Sequence, residues 1–92
     1  MPQVDDFDGI RIYVYNGDHG EPHFHAIYGE DSAKIRIMDG ELMIGLLPNN
    51  KMRKVMKWLS DEEVKKWLIK TYYKLNPRKN EKESKKPKSF KD

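Results

Sequence analysis

The chain has 92 residues, of which 37% are hydrophobic and 36% are charged, and its formal net charge is +3. A chain of this length can build one modest hydrophobic core, which excludes a second domain within it. The absence of cysteine excludes disulfides and thiolate metal sites, and no apolar run approaches the roughly 18 residues of a transmembrane helix.

Charge is distributed unevenly along the chain. Residues 1–47 carry 3 Lys/Arg and 9 Asp/Glu, whereas residues 48–76 carry 8 Lys/Arg and 3 Asp/Glu. We therefore expect an acidic first half and a basic second half, a separation that can steer an acidic partner to one face. No signal-peptide pattern is recognisable, so we expect a cytoplasmic protein, and its compactness suggests a microbial one.

Alternating apolar residues predict the first strands. Residues 10–15 alternate apolar and polar side chains, which is typical of a half-buried strand, and residues 1–8 form a short lead-in to it. Pro22 suits the start of the next strand, His23–Tyr28, because proline cannot donate a hydrogen bond to a sheet ladder. Strand alternation then places the two histidines of this segment on the same face.

A hairpin is predicted around Asp39-Gly40, which separates apolar runs at residues 33–38 and 41–47. An Asp-Gly pair favours a two-residue type I′ turn, because both central residues need positive φ. The resulting register pairs Ile37 with Leu42 and Ile35 with Ile44. These four residues would form one apolar face of the hairpin.

Two amphipathic helices are predicted after Pro48. The first carries a stripe at positions i, i+3, i+4 and i+7, and the motif S-x-x-E at Ser60–Glu63 predicts a capping box that opens the second. The second helix would end near Asn76 and bury Val64, Trp67, Leu68, Tyr72 and Leu75. We expect an α+β domain over residues 1–76, in which about four antiparallel strands form a meander covered on one face by both helices. Residues 77–92 are lysine-rich and predict a disordered basic tail.

All three histidines lie within Asp18–His25, in the spacing H-x-x-x-H-x-H. Imidazoles two residues apart on a strand can share a metal ion, and His19 could fold back as a third ligand. His19, His23 and His25 are thus candidate ligands for a divalent metal such as Zn²⁺, with Asp18 as a further ligand or orienting group. The same histidines could act as catalytic acids and bases. They could equally serve structure or partner recognition.

Other polar aromatic and basic residues are candidates for binding. Tyr13, Tyr15 and Tyr28 could stack on a nucleic-acid base or on a partner side chain, or form ordinary cross-strand pairs. Lys66 and Lys70, on the outer face of the second helix, could bind an acidic partner, as could the tail. Solvation of an exposed helix is the alternative role for these lysines.

The residues around the histidines resemble a known family. The segments Gly9–Tyr15, Asp18-His19, Pro22–Ala26 and Tyr28-Gly29, followed by Leu47-Pro48 and Trp58-Leu59, are similar to those of a bacterial family, the domain of unknown function 4160. That pattern has a proline where this chain has Glu21. The resemblance covers about residues 1–75. It implies a small cytoplasmic protein encoded beside another small domain of unknown function, as in toxin–antitoxin pairs, but no particular reaction.

Three hypotheses of function follow. The first is a component of a toxin–antitoxin-like module that binds a small protein partner or nucleic acid through residues 18–25. The second is a metal-dependent hydrolase or nuclease that uses His19, His23 and His25 with Zn²⁺ or Mn²⁺. The third is a non-catalytic interaction domain that uses its basic helices and tail.

Overall fold

The computed structural model describes residues 3–15 and 20–77. It contains one five-stranded antiparallel sheet whose strands follow each other in chain order, and two helices. The predicted α+β meander is confirmed, with one strand more than expected, because part of the predicted lead-in forms a strand. The elements are β1 Gln3–Phe7, β2 Ile10–Tyr13, β3 His23–Tyr28, β4 Asp31–Arg36, β5 Leu42–Gly45, α1 Asn49–Leu59 and α2 Glu62–Leu75.

The turn Asp8-Gly9 explains the additional strand. Both residues have positive φ, +52° and +78°, and Phe7 pairs directly with Ile10 on either side of them. This is the geometry of a two-residue type I′ turn, which an Asp-Gly pair favours. Helix α1 also contacts this turn, because Lys54 forms an ion pair of 3.1 Å with Asp8. The chain therefore reverses here and pairs β1 with β2.

The core lies between one face of the sheet and the two helices. Phe24 on β3 is completely buried, and its ring packs edge-on against Trp58 of α1 at a centroid distance of 5.6 Å. Burying a side chain of this size contributes roughly 1.5–3 kcal/mol. The other fully or almost fully buried apolar residues are Ile10, Ile12, Val14, Ala26, Ala33, Ile35, Ile37, Leu47, Val55, Leu59, Leu68 and Tyr72.

The hairpin of β4 and β5 does not have the predicted register. Ile35 pairs with Leu42 and Lys34 with Ile44, and Met43 is an extra residue on β5 between these pairs. Leu42 is therefore 38% exposed and Ile44 66% exposed, whereas both were predicted to lie in the core. The prediction was correct for Ile35, which is buried, because that residue belongs to the inner face of β4.

The turn itself explains the shifted register. Gly40 donates its N–H to the Arg36 carbonyl at 2.9 Å, and Arg36 donates its N–H to the Glu41 carbonyl at 2.9 Å. Four residues rather than two therefore lie between the bonded residues Arg36 and Glu41. The Asp39 carboxylate accepts the Glu41 N–H at 3.1 Å and an Arg36 N–H at 3.0 Å. Asp39 does not take the positive φ of a type I′ turn. Its side chain instead closes the turn through these bonds.

The helices follow the predicted stripes with two corrections. Trp67 is 41% exposed, although it was predicted to point inward. The N-cap of α2 is Asp61, whose carboxylate accepts the Glu63 N–H at 2.9 Å, whereas Ser60 ends α1 and donates its hydroxyl to the Lys57 carbonyl. The prediction of a capping box that begins at Ser60 was therefore wrong by one residue.

Some of the predicted site and tail residues lie outside the part of the chain that the structure describes. Asp18 and His19 lie outside the described residues, as does residue 78 onward of the predicted basic tail. Within residues 3–15 and 20–77, neither helix is long and apolar enough to span a bilayer.

Gly45→Ala should strongly destabilise the sheet. Gly45 has φ of +81°, and a Cβ atom there would overlap the carbonyl of Ser32, which accepts the Leu46 N–H at 2.9 Å. Backbone strain and overlap together predict a loss of about 3 kcal/mol in the free energy of unfolding, measured by urea denaturation. The control is Gly29→Ala, at φ of +60° with open space around it, which should cost about 1–2 kcal/mol. Equal losses would contradict the overlap.

Asp39 should make the stability depend on acid pH. Its pKa is held below the ordinary value first by the Glu41 N–H bond and then by Arg36. A group with a lowered folded-state pKa stabilises the fold above its unfolded pKa, near 3.9, and this contribution disappears as the pH falls through the folded pKa. The stability difference between the natural chain and Asp39→Asn should therefore shrink below about pH 4 in urea titrations. A constant difference down to about pH 2 would contradict this account.

Candidate functional site

The face of the sheet turned away from the core carries the predicted site. Directly paired residues of neighbouring strands share a face, and one such row runs Tyr13, His25, Lys34 and Ile44 across β2 to β5. A second row contains Arg11, Ile27 and Ser32, and a third pairs His23 with Arg36. We call these three rows the outer face. The inner face of the same strands holds Phe24, Ala26 and Ile35 against the helices.

Six aromatic rings contact one another in sequence along this region. We call them the aromatic row. Successive ring centroids are 5.9, 4.5, 5.4, 5.4 and 5.5 Å apart, which lies within the range of favourable aromatic pairs. The row begins on the outer face of β2 and ends on α2. In order it contains Tyr13, Tyr15, His25, His23, Tyr72 and Tyr73.

His23 is the buried histidine of the pair. It is 4% exposed, although strand alternation places it on the same side of β3 as His25, because its ring lies against Tyr72 of α2. Its Nδ1 donates to the Glu21 carbonyl at 2.9 Å. A carbonyl can only accept, so Nδ1 carries a proton and the tautomer is defined. This bond also holds the segment before β3 in place.

His25 is the accessible histidine of the pair. It is half-buried, and its ring lies 4.5 Å from that of Tyr15 and 5.4 Å from that of His23. Tyr13 and Lys34 flank it directly on the neighbouring strands. Its imidazole is therefore held by rings and strands while part of it still meets solvent.

Asn76 completes this end of the molecule and was not identified from the sequence as a site residue. It is 9% exposed, and its side-chain amide donates to the carbonyl of Tyr15 at 2.9 Å and to that of Tyr72 at 3.1 Å. These bonds join the end of α2 to the chain after β2. Sequence reasoning identified Asn76 only as a helix end, since no local pattern reveals a contact across 61 positions.

The cations beside the aromatic row differ in whether carboxylates already form ion pairs with them. Arg36 contacts the carboxylates of Glu21, Asp39 and Glu41 at 3.0–3.2 Å. The hydrogen bond that it donates to Asp39 is the main reason why the pKa of Arg36 is raised. Arg11 and Lys34 form no ion pair within residues 3–15 and 20–77. The three charged residues of these outer-face rows are cations, and the nearby carboxylates pair with Arg36.

Several predicted binding residues lie away from the aromatic row. Tyr28 belongs to the inner side of β3, where its ring lies 4.7 Å from the ammonium of Lys51 and beside Gly9. Lys66 and Lys70 are exposed on α2. The structure therefore brings Tyr13 and Tyr15 to the histidines but leaves Tyr28 on the other side of the sheet.

The metal prediction depends on His19. Among the described parts of the chain, no three His, Asp or Glu side chains are grouped so that they could hold a metal ion. His23 and His25 alone supply two imidazoles. A zinc or manganese site formed by His19, His23 and His25, with Asp18 nearby, therefore remains a prediction, as does catalysis by the three histidines.

The comparisons with known proteins identify a family but no activity. No curated protein and no solved structure gives a significant match to the chain. One family model, described as Domain of unknown function (DUF4160), matches residues 9–73. This stretch includes every member of the aromatic row and most of the fold, and it covers well over half of the chain. The protein therefore belongs to the DUF4160 family.

Proposed function

We propose that this protein is the binding component of a toxin–antitoxin-like module and recognises a small protein partner, encoded nearby, through its outer face. The observation that carries the proposal is the aromatic row, whose exposed portion centres on His25 beside Tyr13 and Tyr15. Three properties of this surface support protein binding: its composition, the contacts that hold it in place, and its charge.

The composition is that of a protein interface. Tyrosine, tryptophan and arginine are the residues most often found at the energetic centres of such interfaces, where apolar side chains exclude water around them. The outer face presents Tyr13 with Arg11 beside it, and the ring of Tyr15 stacks on that of Tyr13. Ile27 supplies a half-buried apolar surface next to Arg11. This combination of rings, one cation and an aliphatic side chain suits a partner with an apolar centre and polar margin.

Contacts within the chain also hold parts of the aromatic row in place. His23 is fixed by its bond to Glu21, and the Tyr15 backbone by its bond from Asn76. Side chains that are already ordered lose little conformational entropy on binding, and each rotamer-rich side chain that a complex must immobilise costs about 0.5–1.5 kcal/mol. A prearranged surface of this kind can give useful affinity from a small area.

The charge favours a protein over a nucleic acid at this surface. Nucleic-acid affinity rests largely on neutralising phosphates with Lys and Arg. Arg36 is already engaged by three carboxylates, which leaves Arg11 and Lys34 as the cations of the outer face that have no ion pair within the described residues. Two such cations can neutralise few phosphates. A partner that offers carboxylates to Arg11 and Lys34 around an apolar centre fits better.

A metal-dependent hydrolase or nuclease is the second candidate. The ring centroids of His23 and His25 lie 5.4 Å apart, and His23 has the carbonyl-bonded imidazole that often accompanies metal ligation. With His19 they would supply three nitrogen ligands. Elemental analysis of untagged protein and thermal unfolding with added Zn²⁺ or Mn²⁺ test this candidate. Absence of metal together with an unchanged melting temperature would refute it.

His25→Ala should weaken partner binding without unfolding the chain. The partner to be tested is the small protein encoded beside this one, titrated by calorimetry against the full chain. We expect affinity to fall about 10- to 100-fold, as for a residue at the centre of an interface. Tyr13→Ala should have a comparable effect, whereas Tyr13→Phe should retain most of the affinity because the ring remains.

The matched control is Lys70→Ala, an exposed residue on α2 that belongs to neither the outer face nor the aromatic row. It should bind like the natural chain. Circular dichroism melting of every variant separates a binding defect from unfolding. Unchanged affinity in both His25→Ala and Tyr13→Ala would refute the proposal.

A further inference from the structure

The last strand of the sheet exposes a group of large apolar side chains. Met38 is 61% exposed, Leu42 38%, Met43 37%, Ile44 66% and Leu46 61%. We call these five residues the apolar edge. They lie in the turn before β5, along β5 and directly after it. Exposed apolar side chains grouped along one short segment indicate a candidate interaction site.

The backbone of β5 is available as well as its side chains. β5 is the final strand of the sheet and pairs with β4 on one side. An edge strand has unpaired N–H and C=O groups that can accept another strand. Residues 42–47 contain neither a charged residue nor a proline, which are the usual means of preventing such pairing.

The opposite edge of the same sheet is protected. β1 carries Asp5 and Asp6, and its pairing with β2 is interrupted between Gln3 and Asp5. Charges and bulges of this kind discourage strand addition. Both edge strands contain an irregularity, since β5 carries the extra residue Met43, but the two edges differ in charge. β5 lacks the acidic residues that protect β1.

We propose that the apolar edge binds a second copy of this chain, edge to edge, to form a two-fold symmetric dimer. Two antiparallel β5 strands related by a two-fold axis normal to the sheet would continue the antiparallel order of the five strands. Because residues 42–47 are uncharged, the contact places no charge opposite its own copy. The equivalent contact through β1 would place Asp5 and Asp6 of one copy close to the same two residues of the other copy.

The C-terminal segment of the same chain is a poor alternative occupant. Residues 78–92 contain 7 Lys/Arg, and Phe90 is their one large apolar residue. A segment of this composition cannot cover five aliphatic and thioether side chains. Complementarity in both charge and apolar content therefore favours a second β5 over this segment.

The size of the surface sets the expected strength of the dimer. Stable protein interfaces bury about 800 Å² per partner, whereas an apolar patch of five partly exposed side chains amounts to a few hundred Å². The contact therefore lies at the small end of specific interfaces. We expect a reversible dimer with a Kd in the micromolar range.

The geometry also relates the dimer to the outer face. A two-fold axis normal to the sheet leaves both outer faces on the same side of a continuous ten-stranded sheet. Two aromatic rows would then be presented together. Dimerisation itself does not require the proposed partner binding, since it uses β5 rather than the aromatic row.

Analytical ultracentrifugation of the full chain between about 1 µM and 1 mM tests the proposal. The natural chain should change from monomer to dimer across this range. Ile44→Glu and, as a second variant, Leu46→Glu should remain monomeric at least tenfold beyond the natural midpoint, with unchanged melting temperatures. The matched control is Trp67→Glu, which alters an exposed apolar residue on α2 and should dimerise normally.

Three results would overturn the proposal. One is a natural chain that stays monomeric at about 1 mM. Another is a dimer that persists in folded Ile44→Glu and Leu46→Glu, or that Trp67→Glu also abolishes, because the contact would then lie elsewhere. The third is a monomeric chain in which Leu46→Glu, at a position outside the outer face, loses binding to the neighbouring protein, because the edge would then belong to that partner. His25→Ala should dimerise normally, so failure of partner binding and failure of dimerisation are distinguishable.

Discussion

The alternation of β3 determines most of what this molecule presents to its surroundings. Phe24 must be buried, because its ring fills the space against Trp58 of α1, and adjacent strand residues necessarily point to opposite faces. His25 is therefore directed to the outer face, where Tyr13 and Lys34 flank it. A shift of β3 by one residue would bury His25 in an apolar core and expose Phe24. The cost of that exchange holds the histidine at the surface.

Local patterns predicted the parts of the fold that depend on neighbours in sequence. The bounds of β3, the apolar stripe of α1 and the α+β arrangement all follow from periodicity. The chain contains two Asp-Gly pairs, and the same turn chemistry applies to both. Asp8-Gly9 forms the two-residue turn, whereas Asp39 is diverted by Arg36 and Glu41 into a longer one. An ion-pair network, which no dipeptide rule contains, thus shifted the register of β5.

The shared side of His23 and His25 was predictable from the sequence, whereas the difference in their burial was not. Strand alternation correctly placed His23 and His25 on one side of β3. It could not distinguish them, because the burial of His23 depends on Tyr72 of α2, 49 positions away by sequence number. Asn76 was missed for the same reason. Contacts between the end of a helix and the end of a strand depend on the tertiary structure. The sequence gives the residue types that can form such contacts but not which residues meet.

The register shift has a consequence beyond the turn. Had β5 paired as the Asp-Gly rule predicts, Leu42 and Ile44 would have entered the core, and the last strand would have presented Glu41, Met43 and Gly45 outward. The longer turn instead leaves Leu42 and Ile44 exposed on a strand without charges. Exposed apolar surface on an edge strand promotes aggregation of an isolated monomer. Its presence on β5 therefore argues for a partner that covers it. The network around Arg36 thereby connects the shape of one turn to the association that we propose for the chain.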